Sequence, residues 1–260
     1  MDDAEYVPYA KIKDFLPICK GDILYVYSDV LGLAKVCREN GEDFEGELFI
    51  QSLQEVVGGN GTLLFPSFNW DFCKGIAFDY RYTKGKTGAL GNVALKMPGF
   101  NRTQHPIYSF AVWGKAQTEL AAMKNHSAWG EDSPFAFLHR NNGKVLTIGL
   151  PKAVSTFIHY VEQMVGVDYR YHKDFCAPYV DEVGSSGYRT YSMYVRNLDI
   201  DPQPKSREPL NDIMRVLGIR KETIINSVPF HVLDLAGVFD VISLALRYNI
   251  NCIYKFTKAN

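Results

Sequence analysis

Along the first two thirds of the chain, short apolar runs alternate with segments of helical period. "GDILYVYSDVLGLA" opens on a turn and continues into an unbroken apolar run over residues 23–27. That pattern predicts a buried strand ending near Ser28. Leu48, Phe49, Leu53 and Val56 then approximate one helix face across "ELFIQSLQEVV". "GGNGTLLFPSF" turns back into a strand over residues 62–65, stopped by Pro66. "GALGNVALKMPGF" predicts a short helix after Gly91, and "IYSFAVWG" a strand. Ser133 stands as N-cap with Pro134 at the first helical position, and Asn142-Gly143 turns into the strand "KVLTIGL". A helix follows over residues 154–166, "VSTFIHYVEQMVG", capped by Ser155 or Thr156.

This alternation predicts an α/β layered fold. The last third reads differently. "YRTYSMYVRNLDI" predicts an edge or hairpin strand, followed by polar "DPQPKSREP" and two helices near 208–217 and 233–247. Residues 68–88 form a loop rich in aromatic, glycine and charged residues, and a loop that long in a compact domain is often functional.

Composition narrows the class. The chain has 260 residues, with 47% hydrophobic and 22% charged positions, enough for one globular domain, residues 1–260, with 180–260 as a C-terminal sub-region. A net charge of -1 carries no nucleic-acid footprint. The five cysteines are odd in number and widely spaced, which favours reduced cytoplasmic thiols over a disulfide scaffold. The acidic start "MDDAEYVPYAKIKDF" has no secretory core, and no apolar run approaches the roughly 18 residues of a membrane span.

Four stretches carry candidate chemistry. His159-x-x-Glu162 places both residues on one helix face. Such a pair is either a base oriented by a carboxylate or a core histidine beside a surface glutamate. "NRTQHPIYSFAVWG" gathers Arg102, Thr103, Gln104, His105 and Ser109 at a strand entrance, as a cleft wall or as a merely polar loop. "YSDVLGLA" and "KTGALGN" each offer backbone N–H groups at a turn, with Lys84 and Lys86 near the second. Neither matches a nucleotide-binding glycine motif. No H-E-x-x-H, no ligand-spaced cysteine pair and no G-x-S-x-G is present, so no metal is expected.

Taken in order, "YSDVLGLA", "GTLLFPSFNWDF", "GALGNVAL", "NRTQHPIYSFAVWG", "SPFAFLHRNNGKVLTIGL" and "STFIHYVEQ" resemble the aminoglycoside N3-acetyltransferase, or antibiotic N-acetyltransferase, family over about residues 20–176. The resemblance implies a three-layer α/β/α fold with a central mixed sheet and a C-terminal α+β extension, distinct from the commoner N-acetyltransferase (GNAT) fold. It implies acetyl transfer from acetyl-CoA to an amino group on a sugar, with His159 as base and Glu162 as its partner. It assigns the coenzyme to the turn holding Ser28, Val30, Leu31 and Gly32 and the loop holding Thr87, Gly88, Leu90 and Gly91. Arg102 would meet a phosphate, and Ser109 and Phe110 would flank the thioester.

Two departures qualify the acceptor. Asp29 stands in a turn expected to face phosphate. The loop holding Trp70, Asp71 and Asp79 is aromatic and only weakly acidic, although an aminoglycoside is polycationic. With His105 completing the wall, these residues suit a single amino sugar, free or nucleotide-linked, for a surface polysaccharide (lipopolysaccharide biosynthesis). An aminoglycoside-resistance enzyme is the nearest rival. An inactive CoA-binding protein and a metal-dependent hydrolase are the readings from other classes. The late strand and helices serve either as a homodimer surface or as a cover for the pocket.

Overall fold

The computed structural model describes residues 5–150, 156–249 and 252–256. Its elements are β1 (Ile23–Ser28), α1 (Leu31–Glu39), α2 (Gly46–Val57), β2 (Thr62–Pro66), β3 (Phe78–Asp79), α3 (Ala89–Ala94), β4 (Asn101–Arg102), β5 (Phe110–Gly114), α4 (Gln117–Ala122) and α5 (Pro134–Arg140). There follow β6 (Lys144–Ile148), α6 (Phe157–Val165), β7 (Arg170–Val180), β8 (Ser186–Arg196), β9 (Pro202–Pro204), α7 (Glu208–Val216), β10 (Arg220–Ile225), β11 (Val228–Asp234), α8 (Leu235–Tyr248) and β12 (Tyr254–Phe256).

A seven-stranded mixed sheet runs in the order β10-β11-β6-β1-β2-β5-β4. β1 pairs in parallel with both β2 and β6, and the flanking strands join antiparallel. Both faces are covered, which is why these strands read as continuous apolar runs rather than alternating ones. Leu24, Val26, Leu63, Phe65 and Leu146 pack with Leu33 and Cys37 of α1, Phe49 and Leu53 of α2 and Leu90 of α3. On the other face Tyr25, Leu64, Val145 and Leu233 pack with Phe135 of α5, Phe157 and Val161 of α6 and Val238 of α8. This is the expected three-layer sandwich. The C-terminal extension adds the antiparallel β7–β8 hairpin, with β3 beside β7.

Ser133 caps α5 as expected, its Oγ accepting from the Ala136 amide at 3.3 Å. Other expectations shift. The buried face of α2 is Phe49, Ile50, Leu53 and Val57, and Leu48 is exposed. α3 begins at Ala89, so Gly91 lies inside it rather than before it. Val154 and Ser155 lie outside the described residues. Thr156 precedes α6 with helical backbone angles and makes no side-chain cap, because its φ/ψ of -59°/-14° already continues the helix. The α1 helix, strand β7 and the β10–β11 hairpin had no clear pattern. α1 buries only Leu33 and Cys37, β7 does not alternate, and the hairpin turns at Asn226 and Ser227, both with positive φ.

Candidate active site

α6 buries Phe157, Ile158, Tyr160 and Val161. Glu162 is also fully buried on it, while the His159 side chain keeps 27% of its exposure. A buried carboxylate needs donors, and Glu162 has three. Tyr169 Oη donates to Oε1 at 2.9 Å. His159 Nδ1 and an Arg170 terminal nitrogen lie 2.8 and 2.9 Å from Oε2. Arg170 is itself nearly buried and anchored by donation to the Tyr194 carbonyl at 2.8 Å. Gly166, at φ 73°, ends α6 and turns the chain so that Tyr169 and Arg170 arrive together as β7 opens.

Burial alone would raise the Glu162 carboxyl, but His159, Arg170 and Tyr169 together hold it below its ordinary value. Burial lowers His159 most; the Glu162 hydrogen bond opposes it, and the charges of Arg170 and Arg207 reinforce it. The imidazole is therefore neutral near pH 7. Its Nδ1 is occupied, and Nε2 makes no hydrogen bond to a described residue.

His159 opens on a cleft of about 440 Å³ that also receives Tyr108, Trp129, Arg170, Met193, Arg196 and Tyr254. A ladder of rings leads into one wall. Trp70 meets Tyr108 edge-on at 6.2 Å, Tyr108 meets Trp129 at 4.9 Å, and Trp129 meets the His159 ring at 5.0 Å. Trp70 also donates from Nε1 to Tyr108 Oη at 3.2 Å. Of the predicted acceptor-facing residues, Trp70 and His105 both reach Tyr108, the His105 ring at 6.5 Å, and neither lines the cleft itself. A more enclosed cavity of about 320 Å³ lies against Ile158, α7 and α8 and contains none of the predicted site residues.

A narrow crevice brings together Ser28, Thr87, Gly88 and Gly91 at the ends of β1 and β2. Gly88 has φ 67°, and a Cβ there would come 3.0 Å from the Ser28 carbonyl. A Cβ on Gly91 would fall 2.0 Å from the Pro66 carbonyl. Backbone thus closes this crevice to about 10 Å³, the space of a single water. Leu31 and Gly32 are exposed on the adjoining first turn of α1. Asp29 accepts from the Leu31 amide at 3.1 Å, so its carboxylate closes the turn into α1 and occupies a donor that a phosphate would otherwise use.

Several predicted contacts are corrected. Arg102 does not reach out to a phosphate. It is buried, donates to Ser109 Oγ at 3.0 Å and to the carbonyls of Tyr80 and Thr83 at 3.2 and 2.6 Å, and lies over the Phe78 ring. It clamps the long loop against β5. Ser109 is fully buried in that clamp, donating to the Ser67 carbonyl at 3.1 Å, and Phe110 is core. The side chains of Val30 and Leu90 are likewise core, and neither residue lines the crevice. His105 is buried with Nδ1 accepting from the amides of Ile107 and Tyr108, so it sets the backbone beneath Tyr108 and touches no open cleft. Asp71 is 2.6 Å from Lys86 Nζ, and Asp79 closes its own turn by accepting from the Arg81 amide. Both carboxylates are engaged away from His159.

Arg170, Tyr169, Trp129, Tyr108, Arg196 and Tyr254 were missed. The adjacent Tyr169-Arg170, placed just after a polar-bearing apolar helix, was the available signal. The rest converge only in three dimensions. Among the described residues no three His, Cys, Asp or Glu side chains are grouped to hold a metal, and no helix is long and apolar enough to cross a membrane.

A family model described as aminoglycoside 3-N-acetyltransferase matches residues 26–247. Aminoglycoside N(3)-acetyltransferase III of Salmonella sp is 24% identical over 262 residues, covering 90% of this chain and 87% of the relative. Aminoglycoside N(3)-acetyltransferase IX of Micromonospora chalcea is 26% identical over 227 residues, covering 75% and 78%. Among solved structures, aminoglycoside acetyltransferase AAC(3)-Xa aligns with a TM-score of 0.77 at 21% identity, covering 92% of each chain. The AAC-IIIb binary complex with CoASH aligns at 0.78 and 18% identity, covering 98% of this chain and all of the other. These structural likenesses show a shared fold.

Proposed function

Because the chain belongs to the aminoglycoside 3-N-acetyltransferase family, we propose that it transfers an acetyl group from acetyl-CoA to an amino group of an aminoglycoside or related amino sugar, in the cytoplasm. The observation that carries this is the 2.8 Å contact between His159 Nδ1 and the buried Glu162, with the other ring nitrogen left to the cleft. Acetyl-CoA supplies the activated thioester; the family resemblance puts its pantetheine at the mouth of the Ser28, Thr87, Gly88 and Gly91 crevice, which has to widen to take it.

His159 Nε2 accepts the proton that the amine sheds as its nitrogen bonds to the thioester carbonyl carbon. Glu162 stabilises the imidazolium so formed. As the C–S bond breaks, His159 returns the proton to the departing sulfur. The products are an amide and free thiol, and the enzyme regains its starting protonation state. Tyr108 and Trp129, core residues that reach the cleft with a small part of their rings, give the sugar an apolar edge.

A second reading of the acceptor rests on charge. Among the described residues, those lining the cleft include Arg170 and Arg196 and no Asp or Glu. A polycationic drug gains nothing from such a lining, whereas a sugar with one amine and a neutral or anionic remainder does. The test is thiol release from acetyl-CoA against aminoglycosides, free amino sugars and nucleotide-linked amino sugars, with wild type and His159→Ala. Turnover lost in H159A is expected, and the fastest acceptor decides between the readings. CoA binding without turnover on any amine would favour an inactive CoA-binding protein, and turnover that survives in H159A would refute the base assignment.

A further inference from the structure

We propose that Arg170 is the positioning residue that makes His159 a base, by holding Glu162 as an anion and fixing the imidazole proton on Nδ1. This rests on the acetyl-transfer reading of the same site. The argument begins with a triangle. One Arg170 terminal nitrogen lies 2.9 Å from Glu162 Oε2 and 2.9 Å from His159 Nδ1, and those two atoms are 2.8 Å apart. That nitrogen carries two N–H groups roughly 120° apart, whereas its two neighbours subtend only about 60°, so it cannot aim well at both.

Only one proton assignment satisfies all three atoms with a neutral ring. Arg170 and Nδ1–H both donate to Oε2, and the Nε2 lone pair is free. If Arg170 instead donated to a bare Nδ1, that lone pair would face the carboxylate at 2.8 Å with no proton between them. The proton would then sit on Nε2, where an amine has to lose its own.

Charge completes the argument. The groups facing His159 are Glu162 from its own helix, Arg170 from β7 and Arg207 from the turn before α7. Glu162 and Arg170 together form a neutral pair. Take Arg170 away and the imidazole faces a buried carboxylate with one counter-charge fewer, so it keeps its proton and cannot accept another. Arg170 is well placed for this role. It is nearly inaccessible, it is braced on the Tyr194 carbonyl of β8, and β7 and β8 pair at Arg170 and Arg196.

The experiment measures kcat/KM for thiol release from about pH 5.5 to 9 in wild type, Arg170→Met and Arg170→Lys. In R170M the acid limb should rise by about one unit, so the variant loses several-fold more, relative to wild type, at pH 6 than at pH 9, approaching tenfold only well below both limbs. R170K keeps the charge and should keep the wild-type limb. An R170M loss equal at every pH would mean a merely structural residue and would overturn the proposal. Nitrogen-15 NMR of wild-type His159 decides independently of folding of the variants. Near neutral pH the proton should be on Nδ1; a proton on Nε2 would overturn the assignment. That spectrum needs no turnover, so it stands or falls separately from the acetyl-transfer reading.

Discussion

Replacing Glu162 by Gln keeps the shape of the buried group and removes its charge. The Gln oxygen can stay where Oε2 meets His159 and Arg170, and its amide can face the Tyr169 hydroxyl 2.9 Å away. The geometry therefore survives and the electrostatics do not. When His159 takes a proton in E162Q, the imidazolium has lost its anion and still faces Arg170. With charge centres about 4 Å apart and an effective dielectric of about 20, the lost attraction is about 4 kcal/mol, or roughly 10³ in rate. That lies within the usual contribution of general-base catalysis, about 10²–10⁴. Stability should fall as well. Arg170 is left as an uncompensated buried cation, at a cost of about 3–5 kcal/mol. The double variant E162Q/R170M removes that stranded charge and should regain much of the stability without regaining the rate. Thiol release at saturating acceptor, paired with urea denaturation, reads both quantities. If E162Q kept more than about a tenth of the wild-type kcat, the electrostatic argument of this site would be refuted.

Two further outcomes are expected. Gly91→Ala places a methyl 2.0 Å from the Pro66 carbonyl, so α3 must shift off β2. Stability should drop by about 1–3 kcal/mol, and CoA affinity by calorimetry should weaken about tenfold; an unchanged affinity would put the coenzyme elsewhere. His105 supplies a pH dependence. Burial holds its imidazole down to about 3. The unfolded chain binds a proton near pH 6.5 that the folded state refuses until about pH 3, so its stabilisation is complete above about pH 6.5 and is lost as pH falls, by up to about 1.4 kcal/mol per unit. Urea midpoints of wild type and His105→Gln should therefore diverge in slope below about pH 6, and parallel slopes would show that His105 is not kept neutral by the fold.

Much of the layered fold was legible in the sequence because burial on both faces makes strands such as β1 and β2 continuously apolar, and that signal needs no tertiary information. The Ser133-Pro134 helix start and the His159-x-x-Glu162 pair were legible for the same reason. A cap and an i,i+3 contact are set by local geometry. The remainder of the site depended on residues far apart in the chain. Arg102 is polar at a strand entrance, which describes a clamp and a phosphate ligand equally well. Only the folded loop, by bringing the carbonyls of Tyr80 and Thr83 to its guanidinium, uses up its donors. Ser109 and His105 turned inward for like reasons. Conversely, nothing in "VDYRYH" announces that Arg170 will share an oxygen with His159, or that Trp129 and Tyr108 will stack toward its ring. Sequence patterns report which side chains must leave water; which donor meets which acceptor is decided by the turn at Gly166 and the pairing of β7 with β8, because hydrogen bonds and ion pairs depend on distances that only the assembled chain defines.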